Sequence, residues 1–313
     1  MSDEPNVNRR AYLAAVGTGG LAALAGCAGS GDSGGSGTES GSDGTDMSGS
    51  DATESGMDAT ETQTQTSTAT ETSAELPDQV NIGSDIPYRP FEFTTADGDL
   101  QGFDVDIAQA VFEDQLGITP NFTDTSFDTI IPSLNNGNFR VVMSAMTINE
   151  TRAEQVDFSD PYFTAYQTIL VLKDSDITTQ ADLKGKTVGV QKGTTGANAA
   201  EELKSEFDDD LTIKRYDQIP AAFDALINNQ VVAVVNDNTV NGEFAEQNDA
   251  VRFVEGEGAA ADAGVDAPPY LTLTIEQYGI AFRQDDDEFR QQVNEALAAI
   301  REDGTYDEIY GEY

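Results

Sequence analysis

The stretch from Ser126 to Tyr162, SFDTIIPSLNNGNFRVVMSAMTINETRAEQVDFSDPY, decides how the chain is read. It opens with apolar residues at helical spacing, Phe127, Ile130, Ile131 and Leu134. That run stops at Asn135-Asn136-Gly137, residue types that tolerate positive φ. The period then changes. Arg140 to Met146 is short, rich in Val and Met and bounded by turn residues, so it reads as one buried sheet crossing. Ser144-Ala145-Met146-Thr147 stands at the carboxyl end of that strand. Arg152 follows five residues on, in the first turn of a short helix capped by Asn149. Open α/β sheets bind ligands at that end of their strands, so a site is expected here.

Working outward, Val80 to Gly83 reads as a strand that leads into Ser84 to Glu92, a segment held extended by Pro87 and Pro90. Asp97-Gly98-Asp99 turns the chain as in a hairpin. It is not a calcium loop, because Ala108 stands where a bidentate Glu is required. A helix begins at Gly102, with Asp104 as its expected N-cap and Ala108, Val111, Phe112 and Gln115/Leu116 on one face, and Gly117 closes it.

Beyond Tyr162, strands are expected at Thr168 to Leu172, Thr187 to Gln191, Leu211 to Tyr216, Val231 to Asn236 and Tyr278 to Phe282. Helices are expected at Asn198 to Phe207, Pro220 to Asn229 and Asp287 to Arg301, the last using Phe289, Val293, Leu297 and Ile300. This alternation predicts an α/β protein of parallel sheets flanked by helices. Lys192-Gly193-Thr194-Thr195-Gly196, between a strand and a helix, is an anion site in waiting, since the first N–H groups of a helix lack internal partners. It lacks the Gly spacing and Lys-Ser/Thr ending of a nucleotide P-loop, so the anion is expected to be small.

The 313 residues include 16 Lys+Arg against 57 Asp+Glu, with no His and no Trp, for a net charge of -41. That balance excludes nucleic-acid binding, which needs a basic face. It fits adaptation to very high salt, where a Debye length of about 3 Å screens the surface. The absence of His removes the usual proton shuttle and imidazole metal sites, and the single cysteine excludes an internal disulfide.

Residues 1–27 read as an export signal. Asn8-Arg9-Arg10 precedes a small-residue apolar run, Ala11 to Ala25, shorter than the about 20 residues a membrane span needs. The paired arginines resemble a twin-arginine signal and Leu24-Ala25-Gly26-Cys27 resembles a lipobox, whose cysteine carries lipid. Residues 28–76, poor in large apolar side chains and rich in Ser, Thr, Gly, Asp and Glu, read as a disordered tether.

The ordered run Phe127, Ile130-Ile131-Pro132, Gly137, Ser144 to Thr147, Thr151-Arg152-Ala153 and Val156 to Tyr162 resembles the family 3 extracellular solute-binding proteins. These are the amino-acid receptors of ABC importers. Gly102-Phe103-Asp104-Val105-Asp106-Ile107-Ala108 and the ending from Tyr278-Gly279-Ile280-Ala281 to Tyr310 are further signatures of the same family. The resemblance implies a type II periplasmic-binding-protein-like fold of two doubly wound α/β lobes joined by two crossing strands. Lobe one is expected at residues 77–165 plus 280–313 and lobe two at 166–279.

It also implies roles. Arg152, whose planar fork matches a carboxylate, takes the ligand carboxylate, helped by the backbone of Thr147 and by Thr195, with Thr194 beside it at the helix start. Asp237 takes the ammonium, with a carbonyl from Ala145 or Ser144, and Tyr88 and Phe127 wall the side chain. Asp85 and Gln191 are polar groups placed to meet the ligand side chain. Each has a plainer alternative: a surface arginine, a helix N-cap at Asp237, core packing at the two aromatics, a turn cap at Asp85. A neutral polar or cationic amino acid is favoured, glutamine first.

The expected protein is a monomer, lipid-anchored at Cys27 outside the cytoplasmic membrane, needing no cofactor and no metal, with permease subunits as partners. Two other readings stand beside this one: a dehydratase-like enzyme on the same scaffold, and a sensing module. Arg140 and Val232 replace acids found in many relatives and are expected to be structural. Sequons occur at Asn121 and Asn149, and Asn149 is expected to be unmodified beside Arg152.

Overall fold

The structure is a computed structural model, and it describes residues 76–266 and 268–313. The export signal, its Cys27 and the tether up to residue 75 lie outside the described residues. Among the described residues no helix is long and apolar enough to cross a membrane.

Two mixed sheets organise the chain. The first contains β1 (Gln79–Ser84), β4 (Thr119–Asp124), β5 (Val141–Val142), β6 (Asp157–Phe158) and β13 (Ala281–Phe282), in the order β4-β1-β5-β13-β6. β1 is parallel to β4 and β5, whereas β13 is antiparallel to β5 and β6. A small hairpin of β2 (Phe93–Thr94) and β3 (Leu100–Gln101) turns at Gly98.

The second sheet contains β7 (Phe163–Leu172), β8 (Thr187–Gln191), β9 (Thr212–Tyr216), β10 (Ala233–Asp237) and β11 (Val251–Phe253), in the order β11-β7-β10-β8-β9, with β12 (Thr274–Tyr278) paired to β7. Here β8 is parallel to β9 and β10, and β7 is antiparallel to β10, β11 and β12. The expectation of parallel sheets therefore holds for one end of each sheet, β4-β1-β5 and β10-β8-β9, and fails for the pairings made by β7, β11, β12 and β13.

The chain leaves the first sheet along β7 and returns along β12, and aromatic packing pins both strands where they start and end. Phe163 stacks on Tyr278 at 5.5 Å, and Phe91 meets both rings edge-on at 5.0 and 5.3 Å. Phe103 extends the cluster to Tyr306, Tyr310 and Tyr313, which ties down the end of the chain. The helix Asp287–Glu302 buries Phe289, Val293, Ala296, Leu297 and Ile300, as its spacing predicts. Its Phe289 stacks on Phe112 at 6.1 Å. In the second lobe the helix Thr195–Glu206 buries small residues, Ala197, Ala199 and Ala200, in one core with Val188, Val190 and Val235.

Several boundaries differ from those read in the sequence. Arg140 to Met146 is not one strand: β5 is two residues long, Val141–Val142, and the run ahead of Thr147 is further broken at Ala145, with φ +46°. Phe127 falls in a 3-10 turn, Phe127–Thr129, ahead of the helix Ile130–Asn135. Tyr278 to Phe282 is likewise two strands on two sheets. Between them a Cβ on Gly279 would come within 2.9 Å of Ile148 Cδ1, so the chain crosses where only glycine fits. Asp104 is not an N-cap. The helix Phe103–Ala108 is capped by Gly102 without a side-chain bond, and the Asp104 carboxyl turns into the protein. Arg140 is structural, with its guanidinium bonded twice to Asp286 at 2.7 and 2.8 Å.

Candidate functional site

The carboxyl ends of β1, β5, β8 and β10 converge, and each carries a polar residue that the sheet places at its rim. Between them lies a narrow, nearly closed cavity. Its lining brings together all of the candidate ligand residues: Asp85, Tyr88, Phe127, Ser144, Ala145, Thr147 and Arg152 from the side of the first sheet, and Gln191, Thr194, Thr195 and Asp237 from the second.

Arg152 sits on the short helix Glu150–Ala153, whose start is held by Asn149 Oδ1 accepting from Arg152 N–H at 2.9 Å. Arg152 is 7% exposed, so it is not a surface arginine. Nη1 donates to Thr147 O at 2.7 Å and Nη2 to Gly193 O at 3.2 Å, and the guanidinium lies 5.1 Å from the Phe127 ring centroid. Among the described residues no carboxylate lies within ion-pair distance of it. Burial pushes its pKa down, while Glu276 and Asp237 hold it up. The result is a desolvated cation, oriented by carbonyls, with N–H donors to spare.

Asp237 ends β10 and stands at the N-cap position of the helix Asn238–Gln247, yet its side chain makes no capping bond. It accepts instead from the Tyr88 hydroxyl and from Gln167 Nε2, the latter at 2.6 Å. Burial, with the nearby Glu276 carboxyl, pushes its pKa up to about 7. Tyr88 is both a wall and a donor, and it also packs on Phe91 at 6.2 Å.

Asp85 is 2% exposed. Gln191 Nε2 donates to its Oδ2, while Oδ1 has no partner among the described residues. Burial is the main cause raising its pKa to about 6, and the Gln191 bond acts against it. It caps no turn of its own; its N–H donates to Ser144 Oγ at 3.0 Å. Thr194 opens the helix Thr195–Glu206, accepting from Ala197 N–H at 3.1 Å and donating to Gln191 O at 2.9 Å. Thr195 Oγ1 lies 3.3 Å from Thr147 Oγ1 across the cavity.

The two rims thus meet through side chains. Gly193 makes the approach tightest, since a Cβ there would lie 2.9 Å from Asp128 Cα. Gln218 Nε2 adds a bond to Ile86 O at 3.0 Å.

Three contributors escaped the sequence reading. Gln167, within β7, donates to Asp237 and, at 3.1 Å, to Thr195 Oγ1; the strand expected from sequence began one residue after it, at Thr168. Glu276, on β12, lies in a segment to which no element was assigned. Glu92 was read only as part of an extended loop, yet it is fully buried.

The model of a family described as bacterial extracellular solute-binding proteins, family 3, matches residues 80–313. A probable histidine-binding protein of Neisseria gonorrhoeae is 34% identical over 233 residues, covering 74% of this chain and 81% of that protein. ABC transporter arginine-binding protein 1 of Escherichia coli (strain K12) is 34% identical over 236 residues, covering 75% of this chain and 90% of that protein. Among solved structures, an ancestral arginine-binding protein bound to glutamine superposes with a TM-score of 0.67 at 37% identity, over 76% of this chain and 98% of that one.

Proposed function

Because the chain belongs to the family 3 extracellular solute-binding proteins and has their two-lobed type II fold, we propose that it binds a free cationic amino acid between its lobes and hands it to an ABC importer. Glutamine, the first expectation from sequence, gives way to arginine on one observation: the buried Asp85 lines the cavity, and among the described residues its Oδ1 has no partner. The lining carries one cation, Arg152, and two acids, Asp85 and Asp237. A ligand carboxylate answers the first and an ammonium answers Asp237, so a positive side chain balances the charge left at Asp85. The histidine- and arginine-binding relatives support that class. Affinity is within reach: bonds to charged groups contribute about 1.5 to 3 kcal/mol each, and a micromolar Kd needs about 8 kcal/mol.

The experiment is calorimetric titration of the full chain in high salt with the twenty amino acids, ornithine and citrulline. Arginine is expected to bind at least about tenfold tighter than citrulline, its neutral isostere. Equal affinities, or a preference for glutamine, overturn the cationic ligand. No binding of any amino acid overturns the receptor reading and turns attention to catalysis on an organic acid.

The lobe limits 77–165 plus 280–313 and 166–279 belong to the same proposal, with β7 and β12 as the hinge. So does an extracytoplasmic location with lipid on Cys27 after twin-arginine export. Mass spectrometry of membrane-extracted protein checks the anchor, and an unmodified full-length chain overturns it.

A further inference from the structure

Behind the cavity wall lie two carboxyls that do not line it. Glu92 and Asp104 are both 0% exposed, and three cavity residues are held through them. Ser144 Oγ donates to Glu92 Oε1 at 2.8 Å while accepting from Asp85 N–H at 3.0 Å. Ala145 N–H donates to Asp104 Oδ2 at 2.8 Å, which secures a backbone at φ +46° that a β-carbon disfavours. The other Asp104 oxygen accepts from the Tyr162 hydroxyl at 2.8 Å. Among the described residues Glu92 Oε2 has no partner of hydrogen-bond geometry, and neither has the hydroxyl of Ser84, which faces Glu92.

Ser144 and Ala145 are consecutive residues, so the two buried carboxyls that hold them are neighbours, and two neighbouring like charges in a dry interior do not both persist. The donors decide which carboxyl keeps its charge. Asp104 is bonded on both oxygens, by an N–H and an O–H, and those bonds favour the anion. Among the described residues Glu92 accepts a bond of good geometry on one oxygen, from Ser144, and its other oxygen is placed to carry a proton toward Ser84.

We propose that Glu92 and Asp104 are a singly protonated carboxyl pair, with the proton on Glu92 and the charge on Asp104, that positions Asp85, Ser144 and Ala145 for the ligand. The titratable groups facing the pair are Asp85, Tyr88 and Tyr162. Burial raises Glu92 well above the carboxylate range, with Asp104 adding to it, and raises Asp104 to about 7. The fixed charge on Asp104 also lends the cavity a field that favours a cation. The role in binding rests on the amino-acid-receptor reading, whereas the protonation of the pair does not.

The test uses the full chain and the variants Glu92→Gln and Asp104→Asn. At about pH 9, Asp85, Asp104 and Asp237 are ionised, since they titrate at about 6, 7 and 7. An infrared carboxylic-acid band is then expected in the wild type and lost in Glu92→Gln. Absence of the band in the wild type, or its persistence in Glu92→Gln, overturns the pair, whatever the protein binds. Affinity for arginine is expected to fall about threefold in Glu92→Gln, which imitates the neutral acid, and at least about tenfold in Asp104→Asn. Equal losses overturn the assignment of the proton, and unchanged affinity in both overturns the positioning role. If Asp104→Asn does not fold, Tyr162→Phe, which removes one donor to the anion, is expected to weaken arginine binding and raise the pH at which the pair titrates; no change in either overturns the proposal. Wild-type chain that binds no amino acid defeats the receptor reading and leaves the infrared result standing.

Discussion

Arg152 Nη2 donates to the backbone oxygen of Gly193 at 3.2 Å, and the two residues stand on facing rims of different sheets. One guanidinium therefore bonds a carbonyl from each side of the cavity, Thr147 O and Gly193 O. A ligand carboxylate arriving at this fork meets a cation that is already oriented, so little side-chain entropy is lost on binding.

Arg152→Ala is expected to weaken ligand binding at least about 100-fold, since two charge-assisted bonds at about 1.5 to 3 kcal/mol each are removed. Stability falls by about 2–6 kcal/mol, since two buried carbonyls each lose a donor at about 1–3 kcal/mol. Calorimetric titration beside thermal unfolding separates these effects. Unchanged affinity removes Arg152 from the site.

Gly193→Ala tests whether closeness of the rims matters. Gly193 has φ +74°, and its added Cβ meets Asp128 Cα at 2.9 Å. The strained backbone costs about 1–2 kcal/mol. The blocked approach is expected to lower affinity at least about tenfold, with the liganded protein larger than wild type by small-angle scattering. Wild-type compaction in the variant shows that Asp128 yields.

Binding is expected to depend on pH through Asp237 and Asp85, whose pKa values are pushed up to about 7 and about 6. A cation opposite each holds it ionised, so binding releases protons near pH 6–7, and affinity falls as pH drops from 8 to 5. Without ligand the sign is opposite. Because burial raises these groups above their unfolded values, their contribution to stability is full below about pH 4 and is lost as pH rises through 6 to 7. Titrations in buffers of different ionisation enthalpy measure the released protons. Absence of release means both acids are already ionised in the free protein.

Gln167→Leu removes the donor shared by Asp237 and Thr195. Since that bond favours the ionised carboxyl, its loss is expected to raise the pH midpoint of binding and weaken affinity about tenfold at neutral pH. A shift in affinity with no change of midpoint assigns Gln167 to packing alone.

Much of the site was legible because its residues stand at positions local chemistry marks. Asn149 announces the turn that carries Arg152, Thr194 opens a helix, and Asp237 closes an apolar strand. What could not be read from the residues is who meets whom. Asp104 looks like an N-cap beside Gly102, and only the proximity of Ala145 and Tyr162 turns its carboxyl inward. Tyr278 to Phe282 looks like one strand, and only the Ile148 side chain against Gly279 divides it between two sheets.

The sequence by itself determined the alternation of strands and helices, the strand ends at which polar residues gather, and the family. Those are properties of neighbouring residues, set by period, capping and turn chemistry. Only the tertiary structure decided the charge and partner of each buried acid, because the groups that set them lie far apart in the chain. Ser144 and Glu92 are 52 positions apart, Ala145 and Asp104 are 41, and Tyr88 and Asp237 are 149. A carboxyl's proton affinity depends on burial and on donors brought to it in space, and neither exists until the chain has folded.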